Sequence, residues 1–138
     1  MQAIVCGVDE SLGAAEAIEV AAVLSEGLGL RLVLAHVVDG YRRTNGVDVG
    51  LQGHREGQRL LERIARKLSL EPEVDYRAEV GDRGSELSRI AAEEAAAVIV
   101  VGSRSRSRRR RSLISRLSAE LRSTAPCPVV VVPPRPRR

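Results

Sequence analysis

Five short apolar runs, separated by stretches of helical periodicity, confine this chain to very few folds. Ala3-Ile4-Val5-Cys6-Gly7-Val8 reads as a strand buried on both faces. Asp9-Glu10-Ser11 ends it, and Ser11 is placed to cap a helix from about 12 to 28. That helix turns Ala14, Ala17, Ile18, Ala21 and Leu24 inward, and Gly27 and Gly29 are expected to stop it. Leu30 to Val38 is the second strand, followed by a polar loop from Asp39 to Gly50. A helix is predicted from about 52 to 69, with Leu60, Leu61, Ile64 and Leu68 on one face. Glu73 to Val80 alternates loosely, as a more exposed third strand. Gly81-Asp82 opens another helix, with Leu87, Ile90 and Ala91 inward. Ala97 to Val101 is the fourth strand, Leu113, Ile114, Leu117 and Leu121 carry a fourth helical spacing, and Val129 to Val132 is the fifth strand.

Strictly alternating strands and helices make an α/β fold, a parallel sheet covered on both faces. Right-handed crossovers with one reversal favour the strand order 3-2-1-4-5. The reversal opens a crevice beyond the ends of strands one and four, with Asp9 and Gly102 facing across it. A single domain over 1–133 is expected, with a basic, disordered tail at 134–138. The fifth strand lies at an edge, and its four valines invite pairing with a second copy. Pro128 and Pro133-Pro134 bracket it, so a short protected edge is the alternative.

Charge is divided unevenly. Residues 1–102 hold 11 basic and 17 acidic side chains, whereas residues 103–138 hold 11 Arg and one Glu. An anion-attracting segment therefore joins an acidic body. Two Tyr, no Phe and no Trp argue against a base-stacking platform. No apolar run approaches a membrane span, and the chain opens directly on a strand rather than a leader, so a cytoplasmic protein is expected. Cys6 and Cys127 fit a reducing compartment and lie too far apart in this strand order to bridge. Two Cys and two His offer no metal-ligand spacing.

The exit of the fourth strand bears most on function. Val98-Ile99-Val100-Val101 ends on Gly102, where a bare backbone can approach a phosphate. Ser103-Arg104-Ser105-Arg106-Ser107 and Arg108 to Arg111 come next, where a phosphate loop would carry more glycine.

The chain resembles the universal stress protein family over almost its whole length. The likeness rests on Ile4 to Ser11, on Leu34-Ala35-His36-Val37-Val38, on Gly81-Asp82 and on Val98 through Val132. Its most specific part is Val-Val-Gly-Ser-Arg at 100–104 with Ala125-Pro126-Cys127-Pro128 and the valines after it. The resemblance implies a Rossmann-like three-layer sandwich, homodimers or tandem pairs, and a stress-response role. Some members bind ATP, and others do not. Binding members carry Gly, two residues, Gly, nine residues, Gly, then Ser or Thr. Here those positions fall on Gly102, Ser105, Ser115 and Arg116, with Leu117-Ser118 continuing the pattern. Where such a position needs positive φ, Ser costs about 1 kcal/mol relative to Gly, and its Cβ crowds a phosphate. Ser105 and Ser115 can still donate hydroxyls, and Arg104, Arg106 and Arg116 can meet phosphate oxygens. The resemblance sets adenine and ribose against Val8, Asp9 and Val37, with Val101 and Gly102 beneath. For Asp9 the alternative is a helix-start residue holding backbone amides. Val8 and Val37 read first as plain strand residues.

Three functions stay open. The first is a nucleotide-binding homodimer for ATP or another adenine nucleotide, with Mg²⁺ only alongside ATP and at most slow hydrolysis. No residue looks like a general base, and both histidines stand apart from the loop. The second is a nucleotide-independent scaffold dimer whose arginine loop meets an acidic partner. Nucleic acid bound through residues 103–116, which hold seven Arg, ranks third. A receiver domain would want paired acids and a late Lys, whereas Lys67 is the sole lysine. An adenylating pyrophosphatase would want Ser-Gly-Gly after strand one, and no Walker loop is present.

Overall fold

The computed structural model describes residues 2–9, 14–39, 49–68, 74–103 and 117–133. Along the chain run β1 (Ala3–Gly7), α1 (Ala14–Leu28), β2 (Arg31–Asp39), α2 (Val49–Lys67), β3 (Val74–Gly81), α3 (Arg83–Glu93), β4 (Ala96–Gly102) and β5 (Val129–Val132). Residues 117–124 form a further helix, α4. The sheet order is β3-β2-β1-β4-β5, and all four pairings are parallel. The predicted order and α/β class hold. The expected tail at 134–138 lies outside the described residues.

Two apolar layers sandwich the sheet. Ile4, Cys6 and Val8 face Ala17, Ile18 and Ala21 of α1 and Leu61 and Ala65 of α2. Val5, Val33 and Ile99 face Leu87, Ile90 and Ala91 of α3 and Leu121 of α4. Successive side chains of a strand point to opposite faces, so strands buried twice read as unbroken apolar runs.

Helix ends obey local chemistry. Gly29, not Gly27, stops α1. Gly29 sits at φ 65°, with Leu30 N–H donating to Ser25 O at 3.0 Å in a Schellman-type closure. Gly27 lies inside the helix with nothing within 4 Å of a Cβ added there. At α3, Asp82 is the N-cap, accepting from Ser85 N–H at 3.1 Å.

Glycine also sets how closely α2 approaches the sheet. A Cβ on Gly57 would stand 2.9 Å from Ala78 Cβ, and one on Gly53 would stand 2.8 Å from Val80 Cγ2. The two glycines are one turn apart and lower α2 onto β3. Gly57→Ala is therefore expected to cost about 1–2 kcal/mol, since overpacking outweighs the better helix propensity. Gly27→Ala, with open space around it, should instead gain about 0.5 kcal/mol. Paired urea melts check the opposite signs.

An arginine–carboxylate network ties β2, β3 and α3 together. Arg31 meets Asp75 at 2.9 Å and Glu94 at 3.1 Å, and Arg77 meets Glu94, Glu79 and Glu93 at 2.9 to 3.0 Å. Arg89 meets Glu93 at 2.7 Å and Glu79 at 3.3 Å. Hydrogen bonds from Arg77 hold the Glu93 carboxyl below its ordinary 4.5. Burial pushes the Glu94 carboxyl up, but bonds from Arg77 and Arg31 outweigh it and leave it lowered. A lowered folded pKa means the unfolded chain takes up protons first as pH falls. The network's contribution is thus whole above the ordinary carboxyl range and lost as pH drops through the lowered values. Urea midpoints should stay level from about pH 8 to 6 and fall below about pH 5. Arg77→Gln should flatten that acid limb; an unchanged limb assigns it elsewhere.

Candidate functional site

The sheet reverses between β1 and β4. Their pairing runs to Cys6↔Val100, beyond which β1 leads into Val8 and Asp9 and β4 ends on Gly102. Gly7 closes the base of this junction: a Cβ there would stand 3.1 Å from both Leu87 Cδ2 and Val101 Cγ1. Ser103 N–H donates to Val132 O at 2.9 Å, holding the exit of β4 against β5.

The residues singled out in the sequence come together unevenly. Val8, Val37 and Val101 are 4, 7 and 3% exposed, so their side chains belong to the core. Val8 packs into the α1–α2 layer, whereas Val37 and Val101 pack into the α3–α4 layer. Asp9 and Gly102 are half-buried at the strand tips, and Leu117 and Ser118 are half-buried in the first described turn of α4. Leu117 leans on the α3–α4 layer. Ser105, Ser115 and Arg116 lie outside the described residues, as does the N-cap expected at Ser11.

One neighbour of the crevice escaped sequence reasoning. His36 Nδ1–H donates to Val8 O at 2.6 Å, next to the junction, whereas the loop from which the sequence set both histidines apart lies outside the described residues. Val8 N–H already donates to Ala35 O at 2.7 Å. Both backbone groups of Val8 are therefore engaged, and β1's tip is held rigid from beneath α2. Strand alternation put His36 on the face of Leu34, and α2 is seated so close over it that a Cβ on Gly57 would stand 3.4 Å from His36 Cδ2.

The base of α4 is set by α3. Glu120's carboxyl lies where a Gly84 side chain would be, and Ser88 and Thr124 hydroxyls bond at 2.9 Å. Burial, then the nearby Asp82 carboxylate, pushes the Glu120 carboxyl above its ordinary value. The Asp82 carboxyl, bonded by Ser85, stays below its own. Of the two, Glu120 therefore takes up a proton first as pH falls.

Neither cysteine is poised for chemistry. Burial, reinforced by the charge of Asp9, pushes the Cys6 thiol up to about 12. Cys127 is likewise raised by burial and lies on the opposite layer, and both are free. Among the described residues no group of three or more His, Cys, Asp or Glu gathers to hold a metal. Among them, too, no helix is long and apolar enough to cross a membrane.

The sequence matches the model of the universal stress protein family over residues 1–133. The chain belongs to that family. No curated protein matches it in sequence. Among solved structures, universal stress protein UspA from Lactobacillus plantarum superposes with a TM-score of 0.75 at 17% identity, covering 95% of this chain and 97% of that one. A universal stress protein described as a complex with cAMP gives 0.71 at 20% identity, covering 95% and 96%. One from Archaeoglobus fulgidus, in complex with dAMP, gives 0.66 at 20% identity, covering 96% and 98%. These likenesses are of fold. They add the architecture of the universal stress protein family to the topology read from the sheet.

Proposed function

We propose that this universal stress protein is a cytoplasmic, homodimeric stress-response module that binds an adenine nucleotide, ATP first, without efficient turnover. The observation that carries the reading is the β1–β4 reversal, with Val8 and Asp9 following the tip of β1 and the side-chain-free Gly102 ending β4. Two relatives described with cAMP and dAMP support the choice of ligand class. Asp9 would take the ribose, with adenine against the backbone of the strand ends at Val8 and Val37 and above Val101 and Gly102, since those valine side chains belong to the core. Phosphates would meet Ser105, Ser115 and Arg116 and the α4 end at Leu117 and Ser118, with Mg²⁺ accompanying ATP. Because Val8's amide and carbonyl are engaged, base recognition there rests on shape more than on hydrogen bonds. Replacement of two glycines and the hydroxyl of the phosphate pattern lowers affinity relative to members that keep them.

Calorimetric titration with ATP and Mg²⁺, and with cAMP and dAMP, tests the site. Saturable heat at up to about millimolar ligand is expected, about −4 kcal/mol of binding free energy at that limit. No heat at millimolar nucleotide would leave the second reading. That reading, a nucleotide-independent dimer whose arginine-rich segment meets an acidic partner, is favoured by Ser105, Ser115 and Arg116. Excess absorbance near 260 nm in freshly purified protein would count against it, and a chain without Trp makes that readout sensitive.

A further inference from the structure

The outer face of α2 carries a row of cations that the fold does not use. Arg55, Arg59, Arg63 and Arg66 succeed one another at four, four and three residues. At 3.6 residues per turn they share a sector of about 80°, and each four-residue step advances about 6 Å. All four are exposed. Arg31, Arg77 and Arg89 are locked in ion pairs, but among the described residues no ion pair or hydrogen bond engages these four. With Lys67 the helix carries five cations against Glu56 and Glu62, and Glu62 takes its bond from Gln58.

Helix stabilisation does not account for the row. Arg66 and Lys67 stand in the last turn, where cations suit the negative end of the dipole. Arg55, Arg59 and Arg63 lie well before it, beyond the reach of that effect. The row instead borders an open groove of about 420 Å³ lined by His54, Arg55, Gln58, Arg59, Glu62 and Ala78. His54 Nδ1–H donates to Ala78 O and ties the groove's upper end to β3. Gly53 and Gly57 seat the helix close to β3 here, and Arg55 and Arg59 themselves line the groove.

Arginines that step about 6 Å apart along the helix axis suit a ligand with evenly repeated anions, and guanidinium prefers the bidentate geometry of phosphate. The groove's lining holds no Phe, Tyr or Trp, and the half-exposed imidazole of His54 is its one ring against which a base could stack. We propose that Arg55, Arg59 and Arg63 bind the phosphodiester backbone of a single-stranded nucleic acid, without reading its sequence. None of these three arginines is among the residues assigned to the nucleotide, so the proposal does not rest on nucleotide binding.

Fluorescence anisotropy of the full chain with a labelled oligothymidylate of about 16 nucleotides tests it. Three neutralised phosphates predict a roughly 20-fold loss of affinity between 50 and 200 mM salt. R55Q/R59Q/R63Q should weaken binding at least about tenfold at the lower salt and flatten the salt dependence. The single R59Q should give a smaller loss in the same direction, so the outcome does not hang on the triple variant folding. Replacing Arg104, Arg106 and Arg108 to Arg111 with Gln should leave the α2 contribution in place. Three results overturn the proposal: no binding at 50 mM salt, binding lost with the 104–111 changes but kept in the α2 variant, or polyglutamate competing as well as the oligonucleotide.

Discussion

Leu61→Ala is expected to remove about 2–5 kcal/mol of folding free energy. Leu61 is 0% exposed and stands where α2 meets the layer built by Ile4, Cys6, Leu34 and Val100. The loss combines the transfer of its buried methyl groups with the cavity left behind, which the sheet beneath can close only in part. A domain of this size holds about 5–15 kcal/mol in all, so one truncation removes a large share. With a urea slope of about 2 kcal/mol per molar, the midpoint should fall by roughly 1–2.5 M. Far-ultraviolet circular dichroism reads it directly. Leu61→Met, which keeps the volume, should cost less than about 1.5 kcal/mol. A midpoint shift no larger for Ala than for Met would show that α2 does not seal this layer.

A second large effect is expected at the free edge of the sheet, on the state of assembly. Pro128 O accepts from Ile99 N–H at 3.0 Å, and Val132 O accepts from Ser103 N–H at 2.9 Å. Alternate residues of a parallel strand turn their backbone groups to the same neighbour, so Val130 shares that side. Val129 and Val131 then turn their N–H and C=O groups away from β4, toward the open edge. Among the described residues no strand covers that edge. Pairing with a second copy would use these groups, and Val131→Pro removes one donor while sparing the β4–β5 bonds. The variant should sediment as a folded monomer where the parent sediments as a dimer. A monomeric parent, or an unchanged mass in the variant, excludes this edge as the interface.

Residue patterns made much of the fold legible. Twice-buried strands leave unbroken runs such as Val98 to Val101, and helices leave spacings such as Leu87, Ile90 and Ala91. Asp82 announced a helix start because its side chain caps the amides the first turn leaves open. Gly27 misled, because helical conformation and an αL stop look alike in composition; only Gly29 carries the positive φ. The candidate crevice was half legible. Its location came from the strand order, whereas the opposed faces of Val8 and Val37 depended on the register Gly7↔Ala35, which no pattern within either strand encodes. Ser105, Ser115 and Arg116 remain matters of sequence alone, since they fall outside the described residues.

The order of apolar runs and helical periods dictated a parallel, doubly covered sheet and the point where it reverses, because each element must bury its own apolar stripe locally. Contacts between elements distant in the chain were decided by packing alone. Gly57 against Ala78, His36 beneath Val8 and Arg31 between Asp75 and Glu94 each join residues whose meeting depends on register and approach distance. Those quantities arise only when the layers close on one another. The same closing left the cations of α2 pointing outward while it drew the acids of β3 and α3 into pairs.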